Sequence, residues 1–251
     1  MTRLRVFDDL ESLSRAAAEG LAAKIQDVVG RRGRCSFVLT GGRTPRRMYE
    51  LLAERFGGAI PWAQVDLFWG DERYVSHDHP QSNFRMARLA LLDRVKVPSA
   101  NVHPIPTHYE DPQHAAAAYE ELLRDYFRGR PARFDVLLLG MAANGHVASL
   151  FPHQPSLHER TRWVIALEVP ADPPQRITMT FTLINQAVHI AFLVAGPTKA
   201  EAVRRALQPG SKVEDVPAAG VAPASGSVTW WLDASAAALL GPAERPAGRN
   251  D

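Results

Sequence analysis

Four short segments place glycine, cations or histidine directly after an apolar run, where side chains and backbone N–H groups can converge on a ligand. The first is Thr40-Gly41-Gly42-Arg43-Thr44-Pro45-Arg46-Arg47. Paired glycines let backbone N–H groups approach an anion closely. Thr44 can cap a following helix, whose amino end favours negative charge. Arg46 and Arg47 would oppose the helix dipole in that first turn, a penalty that a bound phosphate reverses. The other reading is a plain turn and capped helix with solvated arginines. The second segment, Trp69-Gly70-Asp71-Glu72-Arg73-Tyr74-Val75, offers two acids and a base for a polar ligand, or a surface ion-pair cluster. The third runs from Gly140 to Pro152 and carries His146 between Gly145 and small residues. A histidine there can serve as a general base near neutral pH, or simply cap a short helix. The fourth, Ala195-Gly196-Pro197-Thr198-Lys199-Ala200, sets Lys199 at another helix start, as an anion ligand or an exposed lysine.

The elements that must position these segments follow from periodicity. Apolar runs at 3–7, 35–40, 65–69, 102–105, 134–139, 163–169, 177–183, 189–195 and 228–232 read as strands. Spacings of three and four, as at Leu10, Leu13, Ala17, Leu21, Ile25 and Val28, read as helices. Further helices are expected from Pro45, at the first helical position, and over 82–93, 111–128, 198–207 and 233–240. Residues 70–81 and 209–226 read as loops. Strands alternating with helices imply an α/β fold: a mostly parallel sheet with helices on both faces. One such domain is expected over residues 1–240, with 241–251 a frayed tail. Ligands of these folds bind at the carboxyl ends of the strands, where all four segments lie.

Composition narrows the partners. The chain has 251 residues, 46% apolar and 22% charged, which suits a globular protein rather than a disordered one. Its 29 basic and 27 acidic residues leave a net charge of +2. No broad basic face for nucleic acid or a membrane follows from that excess. The single cysteine, Cys35, excludes an internal disulfide and a cysteine-based zinc site and is expected to be buried. His77 and His79 lack a third and fourth ligand and make a poor metal site. The amino-terminal Met-Thr-Arg-Leu-Arg-Val-Phe-Asp-Asp breaks into charge before any apolar stretch forms, unlike a secretory leader. No run approaches the roughly 18 apolar residues of a membrane span. A cytoplasmic protein is expected.

Together the segments resemble the 6-phosphogluconolactonase family. Its pattern reads approximately Ser-Gly-Gly-Ser-Thr-Pro, then Asp-Glu-Arg, then Gly-Met-Gly-x-Asp-Gly-His-Thr-Ala-Ser-Leu-Phe-Pro. Thr40 to Pro45, Asp71 to Arg73 and Gly140 to Pro152 match in that order. Ser82-Asn83, Arg176-Ile177-Thr178, Gly196 to Ala200 and Trp231-Leu232-Asp233 extend the match over roughly residues 37 to 240. The resemblance implies a sugar-phosphate isomerase/lactonase type of α/β fold. It also implies hydrolysis of 6-phospho-D-glucono-1,5-lactone, a step of the oxidative pentose phosphate pathway, without metal or organic cofactor. By position, His146 becomes the general base. Gly41, Gly42, Thr44, Arg73 and Lys199 bind the phosphate, with Arg176 a further candidate. The implied partner is a small-molecule sugar phosphate, and a monomer or weak homodimer is expected.

Three of the departures from the pattern bear on the site. Asn144 replaces the aspartate two residues before the histidine; it accepts a hydrogen bond but carries no charge, which weakens the base. Ala142 replaces a glycine and can crowd a loop that needs positive φ. Arg43 replaces a serine and can add a phosphate contact or point away. Two other readings stand beside the lactonase. Glucosamine-6-phosphate deaminases share the fold but carry Phe-Asn-Glu-Pro where Ser149-Leu150-Phe151-Pro152 stands here without the glutamate. A non-catalytic sugar-phosphate-binding relative is the other, through the change at Asn144. His153 and His158 are placed at the cleft rim, and Trp230 and Trp231 in a core strand.

Overall fold

The computed structural model describes residues 2–241. In chain order the elements are β1 (Thr2–Phe7), α1 (Leu10–Arg32), β2 (Cys35–Leu39), α2 (Arg43–Phe56), β3 (Val65–Trp69), β4 (Asp71–Arg73), α3 (Asn83–Ala90) and β5 (Val102–His103). They continue with α4 (Pro112–Tyr126), β6 (Val136–Leu139), β7 (Val164–Glu168), β8 (Gln175–Met179), α5 (Phe181–Ile184), β9 (His189–Val194), α6 (Ala200–Leu207) and β10 (Ser227–Asp233). Seven strands form one sheet in the order β1-β10-β9-β6-β2-β3-β5. Every adjacent pair in it is parallel. Every residue of β2, β3 and β6 is buried, as expected of parallel strands covered on both faces. The fold is α/β, a mostly parallel sheet flanked by helices.

The strand order reverses between β2 and β6. From β2 the chain proceeds outward to β3 and β5, and from β6 it proceeds the other way to β9 and β10. Loops leaving the carboxyl ends of the two central strands therefore diverge and open a crevice. Gly41 and Gly140 meet there: a Cβ on Gly140 would lie 3.7 Å from the Gly41 carbonyl oxygen.

Several boundaries differ from the sequence reading. Residues 70–81 are not all loop: Asp71–Arg73 form β4, which pairs antiparallel with β8, and β8 pairs with β7 in a second, three-stranded sheet. Three residues are too few to display an alternating pattern. The expected strand 177–183 is β8 followed by the short helix α5, because Thr180 turns the chain. Helix α1 runs past Val28 to Arg32 and stops at Gly33, which has φ 79°. Helix α6 begins at Ala200, after a 3-10 turn at Pro197–Lys199. The expected helix 233–240 is a set of turns. Asp233 caps their start, accepting from the Ala236 N–H at 2.7 Å, but after one bond from Ala237 to Asp233 the chain continues with i to i−3 bonds at Ala238 and Leu240. The tail expected over 241–251 lies, beyond residue 241, outside the described residues.

The small sheet is tied to the start of α3 through Glu72, which is 1% exposed. Its carboxylate accepts from the backbone N–H groups of Arg73 (2.8 Å), Asn83 (2.7 Å) and Phe84 (2.8 Å), and from the Ser82 hydroxyl (3.0 Å). Two of these donors are the first N–H groups of α3, which have no partner inside the helix. Burial pushes the Glu72 carboxyl pKa up, and the backbone N–H groups oppose it. Glu72→Gln turns one acceptor toward these groups into a donor. The substitution should cost about 1–3 kcal/mol of stability, seen as a lower midpoint in chemical denaturation. An unchanged midpoint would remove Glu72 from this structural role.

Candidate active site

A cleft of about 550 Å³ opens at the carboxyl ends of β2, β3, β6, β9 and β10. It is lined by Gly41, Gly42, Arg43 and Thr44 after β2, Asp71 and Arg73 on β4, and His146 after β6. Lys199 after β9 and Asp233 and Ser235 at the end of β10 complete it. That volume suits a small molecule.

The glycine turn works differently at its two glycines. Gly41 is required by space: a Cβ would fall 1.9 Å from the Asn83 side-chain oxygen. Gly42 is required by conformation, with φ 112°, and is itself the N-cap of α2. Thr44 is therefore a first-turn residue rather than the cap, and Pro45 stands third in the helix rather than first. No side chain caps α2, so its leading N–H groups face the cleft without an intrahelical partner. Arg46 and Arg47 do not reach the cleft. Arg46 pairs with Glu50 at 3.3 Å. Arg47 forks onto Glu11 at 2.7 and 2.9 Å and reaches Glu50 at 3.2 Å. Arg43 does line the cleft, and its charge, together with burial, holds the Lys199 pKa down.

The Asp-Glu-Arg segment is a buried scaffold and not a surface ion-pair cluster. The Arg73 guanidinium donates to the Gln81 carbonyl (3.0 Å) and the Asn83 side-chain oxygen. Asn83, 2% exposed, donates in turn to the Asp71 carbonyl at 2.9 Å. Arg73 is thus aimed by neutral acceptors and keeps its charge uncompensated. Asp71 accepts from the Ser149 hydroxyl at 2.8 Å, which ties the histidine loop to β4. Arg176 lies directly opposite Arg73 on β8 and is 6% exposed, but it does not line the cleft. Its Nε donates to the Pro173 carbonyl at 2.8 Å. It acts on the site as buried charge rather than as an open ligand position.

His146 is half-buried and stacks on Phe151, with ring centroids 3.8 Å apart and planes 16° apart. Asn144 Oδ1 lies 3.2 Å from the His146 backbone nitrogen and 2.8 Å from His146 Nδ1. The backbone N–H can only donate, so the atom facing it is the amide oxygen. That oxygen must also accept from Nδ1, which fixes the proton on Nδ1 and leaves Nε2 with a free lone pair. Burial, followed by the charges of Lys199, Arg176 and Arg73, lowers the His146 pKa to about 4. The imidazole is therefore neutral at pH 7.

Ala142 does not crowd its loop. Outside glycine, only Ala148 (φ 48°) and His153 (φ 59°) have positive φ among the described residues. The conformational demand falls on Gly145, with φ 81°, whose absent Cβ would lie 2.8 Å from Val216 Cγ1. His153 and His158 do not reach the cleft; they face Asp215 and Glu214 at 3.7 and 3.6 Å. Among the described residues no group of three or more His, Cys, Asp or Glu is arranged to hold a metal ion. His77 Nε2 faces the Ile105 carbonyl at 2.8 Å, and His79 Nδ1 accepts from the Gln81 N–H at 3.2 Å. Cys35, Trp230 and Trp231 are buried, and burial raises the Cys35 thiol pKa. The sequence reading missed the aromatic floor supplied by Phe151 and the cleft position of Ser235. The strand-end rule applied to β10 was signal enough for Ser235.

Comparison with known proteins agrees with the fold. A sequence model described as glucosamine-6-phosphate isomerases/6-phosphogluconolactonase matches residues 8–230. A 6-phosphogluconolactonase of Synechocystis is 42% identical over 225 residues, spanning 88% of this chain and 91% of its own. The crystal structure of 6-phosphogluconolactonase from Thermotoga maritima is 30% identical, with a TM-score of 0.81 over 93% of this chain and all of that one. A monomeric glucosamine-6-phosphate deaminase is 24% identical, with a TM-score of 0.79 over 94% of this chain and 99% of that one, a likeness of fold.

Gly145→Ala should destabilise the protein by about 1–2 kcal/mol through its left-handed backbone alone, with the Val216 contact adding to that. Val216→Ala in the same chain should recover the packing part only. Denaturation of the single and double variants checks both. Full recovery in the double variant would mean that the backbone conformation is not the constraint.

Proposed function

We propose that this chain, which belongs to the glucosamine-6-phosphate isomerase/6-phosphogluconolactonase family, hydrolyses 6-phospho-D-glucono-1,5-lactone to 6-phospho-D-gluconate. The observation that carries the reading is the neutral His146, with its Nε2 lone pair free, in a cleft that also holds Arg43, Arg73 and Lys199. A phosphate dianion supplies the counter-charge these cations lack. It docks at the uncapped start of α2, on the N–H groups around Gly41, Gly42 and Thr44. Arg73, Lys199 and Arg43 complete its neutralisation. Arg176 supports the potential from behind.

His146 Nε2 takes a proton from a water molecule as that water attacks the lactone carbonyl carbon. The tetrahedral intermediate then collapses with cleavage of the bond to the ring oxygen. The imidazolium returns its proton to that oxygen, and the open-chain acid ionises to the carboxylate. Asn144 holds Nδ1–H throughout, so one nitrogen both accepts and returns the proton. Every step uses the chain's own residues. The deaminase reading ranks second, because Phe151 packs under the imidazole in the segment where those enzymes carry glutamate. Among the described residues no helix is long and apolar enough to cross a membrane. A cytoplasmic setting, one α/β domain over residues 1–240 and a monomer or weak homodimer belong to the same proposal.

The test is turnover of freshly generated lactone, with its unaided hydrolysis subtracted. His146→Ala should lose about 10²–10⁴-fold in rate. Lys199→Ala should raise KM about tenfold or more with a smaller effect on kcat. In the wild type, kcat/KM should fall only as pH drops toward about 4, where His146 becomes protonated. A carboxylate in Asn144→Asp stabilises the imidazolium, so this acid limb should move to higher pH and the neutral-pH rate should rise. No wild-type turnover, with activity appearing in Asn144→Asp, would instead identify a sugar-phosphate-binding relative.

A further inference from the structure

Far from the cleft, at the amino ends of the strands, a second cavity of about 680 Å³ lies between α1 and the sheet. The parallel register brings its walls together. Arg3 pairs with Thr229 and Arg5 with Trp231, while Ser227 pairs with His189. Because alternate residues share a face, Arg3, Arg5, Ser227, Thr229, Trp231 and His189 emerge on one side of the sheet. Lys24 closes the cavity from α1. Gly20, one turn earlier, leaves room because a Cβ there would already lie 2.9 Å from the Trp231 ring.

Its charge is one-sided. The lining holds Arg3, Arg5, Lys24 and His189 and no aspartate or glutamate. Among the described residues none of Arg3, Arg5 and Lys24 has an ion-pair partner. Most arginines elsewhere are paired, as Arg32 is with Asp135 and Arg34 with Asp66 at these same strand ends. The Arg5 guanidinium is fixed over the Trp231 ring, 4.7 Å from its centroid. The hydroxyls of Ser227 and Thr229 also line the cavity, and the Ser227 oxygen lies 2.8 Å from His189 Nδ1. Burial, followed by the charges of Lys24 and Arg3, lowers the His189 pKa to about 4. Unpaired cations around a polar hollow are the feature that marks the cleft as well.

We propose that this cavity is a second anion site, separate from the cleft, which takes a small dianion of the phosphate class between Arg3, Arg5 and Lys24. The hydroxyls of Ser227 and Thr229 supply neutral hydrogen bonds, and a dianion relieves the cation crowding around His189. β9 runs from His189 in this cavity to Val194 in the cleft, about 16 Å along the strand.

The test follows the ring signals of His189 and His146 by NMR while inorganic phosphate is added to the full-length protein. In the wild type both rings should respond saturably. In Arg3→Ala/Lys24→Ala the affinity read at His189 should weaken about tenfold or more, while the response at His146 and the lactonase rate stay unchanged. In Lys199→Ala the response at His146 should weaken and that at His189 persist. A parallel titration with 6-phosphogluconate assigns the site to a phosphomonoester if it binds tighter there, or to free phosphate if it does not. A His189 ring that ignores both anions, or responds equally in the double variant, overturns the proposal.

Discussion

The hydrogen bond from His146 Nδ1–H to Asn144 Oδ1, 2.8 Å long, is the contact on which the proposed chemistry depends. It costs the ring no charge and gives it a fixed tautomer. An aspartate in that place would hold the same tautomer but would also draw a proton onto the ring. With asparagine, burial and three nearby cations act without opposition, and the imidazole stays neutral across the physiological range. The site thus trades basicity for availability: a weaker base, but one that is always unprotonated. In the proposed reaction the substrate's phosphate softens the trade, because a dianion beside Lys199 and Arg73 would cancel part of the repulsion that depresses the pKa.

The fold serves this arrangement by keeping cations unpaired where a ligand will pair them. Carboxylates in and near the cleft are occupied by neutral donors. Glu72 takes three backbone N–H groups and a hydroxyl. Asp71 takes the Ser149 hydroxyl, and Asp233 takes the Gly196 and Ala236 N–H groups. At the opposite ends of the strands the logic reverses. Arg32 and Arg34 are neutralised by Asp135 and Asp66, contacts that hold the sheet together. Carboxyl ends carry function and amino ends carry stability, apart from the one-sided cavity at β1 and β10.

Much of this was legible in the sequence. Apolar runs located the strands of the large sheet, because strands buried on both faces leave uninterrupted hydrophobic stretches. Glycine and charge after those runs located Gly41, Gly42, Arg73, His146 and Lys199. Contacts between distant segments were not legible. Nothing local to Arg47 reveals Glu11 as its partner, so a first-turn arginine resembled a phosphate ligand. Nothing local to Arg176 reveals that its strand is turned behind the cleft. Strand β4 is hidden because three residues show no period, and the last segment, although capped by Asp233, continues as i to i−3 turns rather than an α-helix. In the sequence Asn144 reads only as a missing charge; its part in fixing the tautomer rests on the distance to Nδ1.

The most direct test of the neutral, Nδ1-protonated base is nitrogen-15 NMR of the His146 ring in the unliganded protein across pH. Nε2 should show the shift of an unprotonated, pyridine-type nitrogen and Nδ1 that of a protonated one at neutral pH, with ionisation only near pH 4. The reverse assignment of the two nitrogens, or ionisation near the ordinary histidine value of about 6.5, would contradict it.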